Sequence, residues 1–549
     1  MDYHNLAQVL PAQARRLGPA VALRYKRHGL YHDVSWQTYY RLAEQLAAAL
    51  VAQGVQPGDR VGLLAENRYE WLISDLAILM AGAVTVSPHA PLTARQVHYQ
   101  FEHADVVWAF VSDAVQAAKL ASIRAELPLL RGVVSFEPLP DLPSWHGFAE
   151  QGRRTLPAVQ AELLRRRETL KSDDLAAVIY TSGTTGNPKG VMLTHGNLLS
   201  NTLAGLQRKP HEPGDLILSW LPYTHIYART VDHYGALVAG VPLALAVSPE
   251  TLVENLAETQ PTHMACVPRF YEKILAAVAP LPLEESGKRL RAIFGPRRKW
   301  LSSGGAALPV GVAQAFAERG VPIYQGYGLT ETSPVISFNT PEANRIGSVG
   351  QAVPGVEIRI AEDGEILTRG PHVMKGYWKD PQATGAVFRD GWFCTGDLGY
   401  LDQDGFLFIT GRKKEMMALS NGKKIAPSNL EGLLVQSPFI DQALIVGEGR
   451  NYLSALIVPA WPVVQQHLQL CEPPAALVEH PAVQALIRAE CDKALRDFSP
   501  MEQVRKFALL ATPFSVESEE MTVSLKLRRQ VILQRHAPLV EQLYRGEET

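Results

Sequence analysis

Cysteine is scarce in this chain: Cys266, Cys394, Cys471 and Cys491 are the only four in 549 residues, and no two are spaced as C-x-x-C. That scarcity argues against a disulfide framework and a structural zinc site, and it fits a reducing compartment. All four are expected to be buried thiols without chemistry. Net charge is also missing: the formal value is −2. No global field therefore draws in nucleic acid or acidic substrates, and any anion site must be local. Long apolar runs are absent too, with no stretch near the ~18 uninterrupted apolar residues of a membrane span. The start, Met1-Asp-Tyr-His-Asn-Leu6, has no basic segment followed by an apolar run, so no signal peptide and a cytoplasmic location are expected. With 46% hydrophobic and 20% charged residues the chain reads as ordinary soluble globular protein, and its length calls for at least two domains.

What is present is concentrated in one stretch. Residues 180–190 read Tyr-Thr-Ser-Gly-Thr-Thr-Gly-Asn-Pro-Lys-Gly, directly after the apolar run 175–179. Gly183, Gly186 and Gly190 let backbone N–H groups approach an anion closely. Thr181, Ser182, Thr184 and Thr185 add neutral donors, and Lys189 adds a mobile positive charge. This is the chemistry of a polyphosphate cradle. A strict G-x-x-x-x-G-K-[ST] cannot be laid on it, because Pro188 stands five residues after Gly183. A flexible linker is a poor reading, since the stretch lies between an apolar strand and a second ordered-looking segment, 191–199.

The rest of the first four hundred or so residues alternates helix and strand. Ser35 is placed to cap a helix whose Leu42, Leu46, Ala49 and Leu50 share a face, with Gly54 ending it. Strands are expected at 60–64, 83–86, 216–221, 242–247, 262–267 and 322–325. Helices are expected at 71–80, before 239, before 259 and at 310–319. This alternation predicts an α/β fold with parallel sheet. From 347 to 411 short alternating runs between glycines, such as 356–360 and 365–368, suggest a small antiparallel barrel or sheet. A smaller α+β unit follows, with strands at 443–446 and 453–458. Segments 280–298 and 465–500 read as solvated surface or insertion.

Four further motifs occur in order: Tyr327-Gly-Leu-Thr-Glu-Thr332, Thr395-Gly-Asp-Leu-Gly399, Gly411-Arg-Lys-Lys-Glu415 and Ser524-Leu-Lys-Leu-Arg528. With the 180–190 loop they resemble the motifs of the adenylate-forming, or AMP-binding, superfamily, over nearly the whole chain. The resemblance implies a large N-terminal domain, 1–411, carrying ATP and acyl sites, and a small mobile α+β domain, 412–549, carrying a catalytic lysine. It implies that a carboxylate attacks the α-phosphate of ATP, pyrophosphate leaves, and a thiol then cuts the acyl-adenylate.

Residue by residue, the resemblance assigns Thr181, Ser182, Gly183, Thr184, Thr185, Gly186 and Lys189 to the β- and γ-phosphates. Glu331 becomes the magnesium ligand, and Thr330 bonds the α-phosphate. Tyr327 lies beside adenine, flanked by Gln325, Gly326 and Gly328. Gly304, Gly305 and Ala306 form a small-residue strip for a flat base or the acyl carbonyl. Asp397 and Arg412 take the ribose, since a carboxylate can accept both hydroxyls. Lys526 bridges the incoming carboxylate and the α-phosphate, where charge accumulates in the transition state. The run Met521-Thr-Val-Ser-Leu-Lys526 departs from the family's usual Pro-Thr ahead of this lysine. His225 lines the acyl entrance, Lys414 marks the hinge, and the loop 420–424 around Gly422 meets the pantetheine arm of coenzyme A. Without the resemblance, Glu331 would read as a surface glutamate, Asp397 as a hairpin aspartate, His225 as structural, and Lys414 and Lys526 as solvated charge.

Within the superfamily, 221–225, 411–427, 501–510 and 525–529 look most like long-chain fatty-acid CoA ligases. Each buried methylene gains ~0.8 kcal/mol, so a long chain in a tunnel contributes up to ~10 kcal/mol. The implied cofactors and partners are ATP, Mg2+, coenzyme A and a fatty acid, with shallow peripheral membrane contact compatible with such a substrate. Three alternatives stay open: transfer to acyl carrier protein, a non-catalytic acyl- or nucleotide-binding homologue, and a luciferase-like monooxygenase. Oligomeric state is not readable from the sequence.

Overall fold

The computed structural model describes residues 3–181, 187–522 and 527–545. Among these, two large sheets and one small barrel-like sheet build a large N-terminal domain, and a three-stranded sheet builds a small C-terminal one. In the seven-stranded sheet, strands Arg60–Leu64, Val84–Val86, Val106–Val111, Gly132–Ser135 and Leu175–Thr181 run parallel, while Lys189–Thr194 and Gly376–Tyr377 add antiparallel neighbours. Apolar runs flanked by helices make such strands, because both faces are covered. The helix Trp36–Ala52 begins where Ser35 accepts from the Thr38 N–H at 3.1 Å, as expected.

The nine-stranded sheet holds Ile217–Ser219, Leu243–Leu245, His263–Cys266 and Trp300–Ser303 in parallel, then Tyr324–Gly328, and turns antiparallel at Val335–Phe338. The strands expected at 216–221, 242–247 and 262–267 are shorter than the apolar runs that announced them, and the one expected at 322–325 is shifted to Tyr324–Gly328. The helix expected before 239 is interrupted by a π-helical turn, Arg229–Tyr234. There Arg229, fully buried, pairs with buried Asp75 of the helix Tyr69–Met80. Thr85 Oγ1 and Tyr234 Oη each donate to Asp75 at 2.8 Å. This network ties the two sheets together just after His225. From 357 to 412 the strands Glu357–Ile360, Glu365–Arg369, Phe388–Arg389, Trp392–Leu401 and Leu407–Arg412 form an antiparallel five-stranded sheet.

In the C-terminal domain, Ile440–Val446 pairs antiparallel with Leu453–Pro459, which pairs parallel with Val504–Leu509. Two sequence expectations are corrected here. Segment 465–500 is not solvated throughout: the helix Pro481–Leu495 buries Val483, Ile487, Cys491 and Leu495, an i, i+4 stripe packed under this sheet. Segment 280–298 likewise contains the helix Leu283–Phe294, whose Leu290 and Phe294 enter the core of the nine-stranded sheet. In both, polar residues between the apolar positions hid a one-sided helix. The cysteine expectation holds for Cys266 and Cys491; Cys394 is half-buried and Cys471 exposed. Among the described residues no helix is long and apolar enough to cross a membrane.

Candidate functional site

A cleft of about 2720 Å³ runs between the C-terminal ends of the nine-stranded sheet, the five-stranded sheet and the small domain. One end starts at the hairpin of Leu175–Thr181 and Lys189–Thr194, in which Thr181 faces Lys189. Ser182, Gly183, Thr184, Thr185 and Gly186 lie outside the described residues. The Lys189 ammonium stands 4.9 Å from the ring centroid of Tyr377. The Tyr377 hydroxyl donates to Glu331 Oε1 at 2.9 Å. Burial first, and the Glu331 carboxylate second, push the Tyr377 phenol up, so it stays a donor. Lys189, Tyr377 and Glu331 therefore form one connected group. Tyr377 was not singled out from the sequence, because nothing local marks it.

Glu331 and Thr330 sit in a 3-10 turn, Thr330–Thr332. Thr332 Oγ1 accepts from the Leu329 N–H at 2.9 Å and fixes that turn. Gly328 enters it where a Cβ would stand 1.7 Å from the Pro334 carbonyl oxygen, so no other residue fits. Gln325 is nearly buried, and its carbonyl accepts from the Asn339 N–H at 2.9 Å.

Asp397 and Arg412 face each other across neighbouring strands. Asp397 Oδ1 accepts from Arg412 Nε at 2.8 Å, and Oδ2 accepts from the Tyr327 hydroxyl at 2.6 Å. Burial, reinforced by the Asp397 carboxylate, pushes the Tyr327 phenol well up. Asp397 is thus held as an oriented, nearly buried carboxylate at the cleft wall.

Deeper in, the strand Trp300–Ser303 ends in Gly304, Gly305 and Ala306, and all three line the cleft. A Cβ on Gly304 would stand 3.0 Å from the Tyr227 ring, whose hydroxyl is 3.0 Å from Ser302 Oγ. His225 caps the short helix Ile226–Ala228 through Nδ1, which accepts from the Tyr227 N–H at 3.2 Å. It also lines the cleft.

From the small domain, Lys414, Arg528 and Arg529 line the opposite wall. Lys526 lies outside the described residues, whereas Met521, Thr522 and Leu527 on either side of that gap line the cleft. Gly422 is the exception. It sits at the tip of the hairpin Met417–Ala418 and Lys424–Ile425, away from the cleft lining, with φ at +82°. The neighbouring Lys423 docks that hairpin onto Ser499 and Glu502 at 2.6 and 2.9 Å.

One cleft thus brings together the Lys189–Tyr377–Glu331 group, the Asp397–Arg412 pair and the pocket behind Gly304. Residues 10–378 match the AMP-binding enzyme family, and residues 414–548 match its C-terminal domain. The chain belongs to this family of adenylate-forming enzymes and is an adenylate-forming ligase. It is 34% identical to the long-chain-fatty-acid–CoA ligase FadD15 of Mycobacterium tuberculosis, over 94% of this chain and 93% of that protein. It is 28% identical to the chloroplastic long-chain-fatty-acid–[acyl-carrier-protein] ligase AEE15 of Arabidopsis thaliana, over 99% of this chain and 87% of that one. Among solved structures, the anthranilate CoA ligase AuaEII with anthranoyl-AMP shares the fold, with a TM-score of 0.79, 22% identity and 98% of both chains covered.

Proposed function

We propose that this protein activates a long-chain fatty acid with ATP, forming an acyl-adenylate and pyrophosphate, and then transfers the acyl group to coenzyme A with release of AMP. One observation carries the reading. A single cleft joins the Lys189–Tyr377–Glu331 group, the Asp397–Arg412 pair and the pocket behind Gly304. A triphosphate, a ribose and an acyl carboxylate can therefore meet near Thr330. The mycobacterial relative, similar over almost its full length, supports the long-chain substrate.

In this reading Lys189 and the hydroxyls of 181–185 hold the outer phosphates, and Thr330 bonds the α-phosphate. Asp397 accepts the ribose hydroxyls, with Arg412 and Tyr327 keeping its carboxylate in place. Tyr327, Gln325, Gly326, Gly328, Gly305 and Ala306 form the wall against adenine and the acyl carbonyl. His225 stands at the acyl entrance. The donor set also fits magnesium, because a hard cation bridging phosphates takes one or two carboxylates, and Glu331 offers one beside Lys189. Bound there, the ion would neutralise charge on the departing pyrophosphate. Lys526 supplies positive charge to the attacking carboxylate and the α-phosphate. The domain boundary is proposed at 411/412, with Lys414 in the hinge. Rotation of the small domain about it would exchange Lys526 for the Gly422 loop between the two half-reactions.

The test is acid-dependent release of AMP and pyrophosphate. Hexadecanoate should far outpace acetate, and coenzyme A should be the thiol acceptor. Comparable kcat/KM for both acids would remove the long-chain assignment. Faster transfer to acyl carrier protein, the acceptor named for the Arabidopsis relative, would replace the acceptor.

A further inference from the structure

The pocket behind Gly304 is not lined by apolar side chains alone. Trp300, Ser302 and Gly304 alternate along one strand and all line the cleft. Gly304 lies four positions on from Trp300, so Trp300 stands roughly 13 Å below the carboxyl-reacting end. At that depth the ammonium of Lys209 sits 3.9 Å from the Trp300 ring centroid, and Trp300 stacks on Tyr324 at 4.5 Å. Lys209 caps the C-terminus of the helix His195–Arg208, whose Thr202, Gly205 and Leu206 face the same space.

Lys209 is half-buried and lines the cleft, and among the described residues no carboxylate comes within ion-pair distance of it. The charged groups that face it are Asp215, Asp232 and Lys299. Asp215 is already engaged by Lys299 at 2.8 Å. Asp232 Oδ2 accepts from Ser219 Oγ at 2.7 Å, and burial pushes its carboxyl up to about 7. Burial also pushes the Lys209 ammonium well down, with Lys299 adding to that and the two aspartates opposing it. His211 and His263 stand beside Asp215, both kept neutral by burial, and His211 Nδ1 is buried without a hydrogen-bond partner. These two histidines and Asp215 are close enough together to hold a metal ion, but Lys299 already engages Asp215.

We propose that the floor of the acyl pocket recognises a carboxylate at the far end of the substrate, so that the preferred acids are α,ω-dicarboxylic fatty acids. The inference rests on the fatty-acid reading above and narrows it. A cation without a carboxylate partner, in surroundings that penalise its charge, gains most when an anion arrives. An apolar pocket would strongly reject a second carboxylate; this one offers Lys209 as its ion partner and His211 as a neutral polar neighbour. Both ends of a dicarboxylic acid are chemically equivalent, so either can react while the other docks.

The experiment compares hexadecanedioate with hexadecanoate, and dodecanedioate with dodecanoate, by AMP release from the full chain with ATP, magnesium and coenzyme A. In the better-fitting length, kcat/KM for the dioate should exceed that for the monoacid by about tenfold or more, the value of one charge-assisted hydrogen bond. Lys209→Met should reverse the preference, and Lys209→Arg should keep it. Activation of the monoacids alone would overturn the inference and leave the fatty-acid reading standing. An unchanged ratio in folded Lys209→Met would overturn it as well. Activation of no fatty acid would overturn both.

Discussion

Replacing Tyr377 with Phe removes one hydroxyl and keeps the ring beside Lys189. The hydroxyl donates to Glu331 at 2.9 Å, and the ring centroid lies 4.9 Å from the ammonium. A hydrogen bond to a charged group contributes ~1.5–3 kcal/mol. Glu331 is half-buried, so water recovers part of that, leaving ~1–2 kcal/mol. If the bond orients Glu331 toward the metal, the loss falls on adenylation, about five- to thirtyfold in kcat/KM. Tyr377→Leu also removes the contact with Lys189, a further ~0.5–1 kcal/mol or about two- to fivefold. The assay is fatty-acid-dependent ATP–pyrophosphate exchange across a magnesium titration, with thermal melts to verify folding. The Phe variant should need more magnesium for half-maximal exchange. Exchange within about twofold of wild type at every magnesium level would show that Tyr377 does not position Glu331.

Two predictions concern buried charge around the pocket. Asp75→Ala leaves Arg229 fully buried and unpaired, and should destabilise by about 3–5 kcal/mol in urea unfolding. Burial alone would raise the Asp75 carboxyl, but Arg229 and His233 hold it down to about 2. Its stabilisation is therefore full above the ordinary carboxylate value and is lost as pH falls toward about 2, a dependence the variant should lack. Asp232 is the opposite case, with a folded-state value of about 7. The folded protein binds a proton that the unfolded chain does not, so this group's contribution declines as pH rises from about 4 to about 7. Asp232→Asn should flatten that decline and raise the urea midpoint at about pH 8 relative to wild type. Identical pH profiles for the two proteins would contradict the burial argument.

Much of the site was legible because its residues are grouped in short local motifs. Asp397 and Arg412 belong to separate motifs, and the structure joins them as cross-strand partners. Thr330 and Glu331 follow a Tyr-Gly turn whose glycine the Pro334 carbonyl requires. Tyr377 and Lys209 were not legible. Each makes its contact far away in sequence, with Glu331 in one case and Trp300 in the other, and a tyrosine in a short edge strand or a lysine at a helix end looks ordinary by itself. The layered α/β domain and the antiparallel sheet after it could be read from alternation of apolar runs and glycines. The helix Pro481–Leu495 could not, because its buried stripe is one residue wide per turn and most of its other positions are polar or small. The π-turn at Arg229–Tyr234 likewise has no sequence period of its own; the buried Asp75 partner explains it.

The central claim is that the Glu331 end of the cleft holds the metal-bound triphosphate. The most direct measurement is fatty-acid-dependent ATP–pyrophosphate exchange by Glu331→Ala, with circular dichroism and a thermal melt on the same sample. The account predicts a folded protein whose exchange falls by about a hundredfold or more, the scale of removing a group that stabilises transition-state charge. Near wild-type exchange from the folded variant would contradict it.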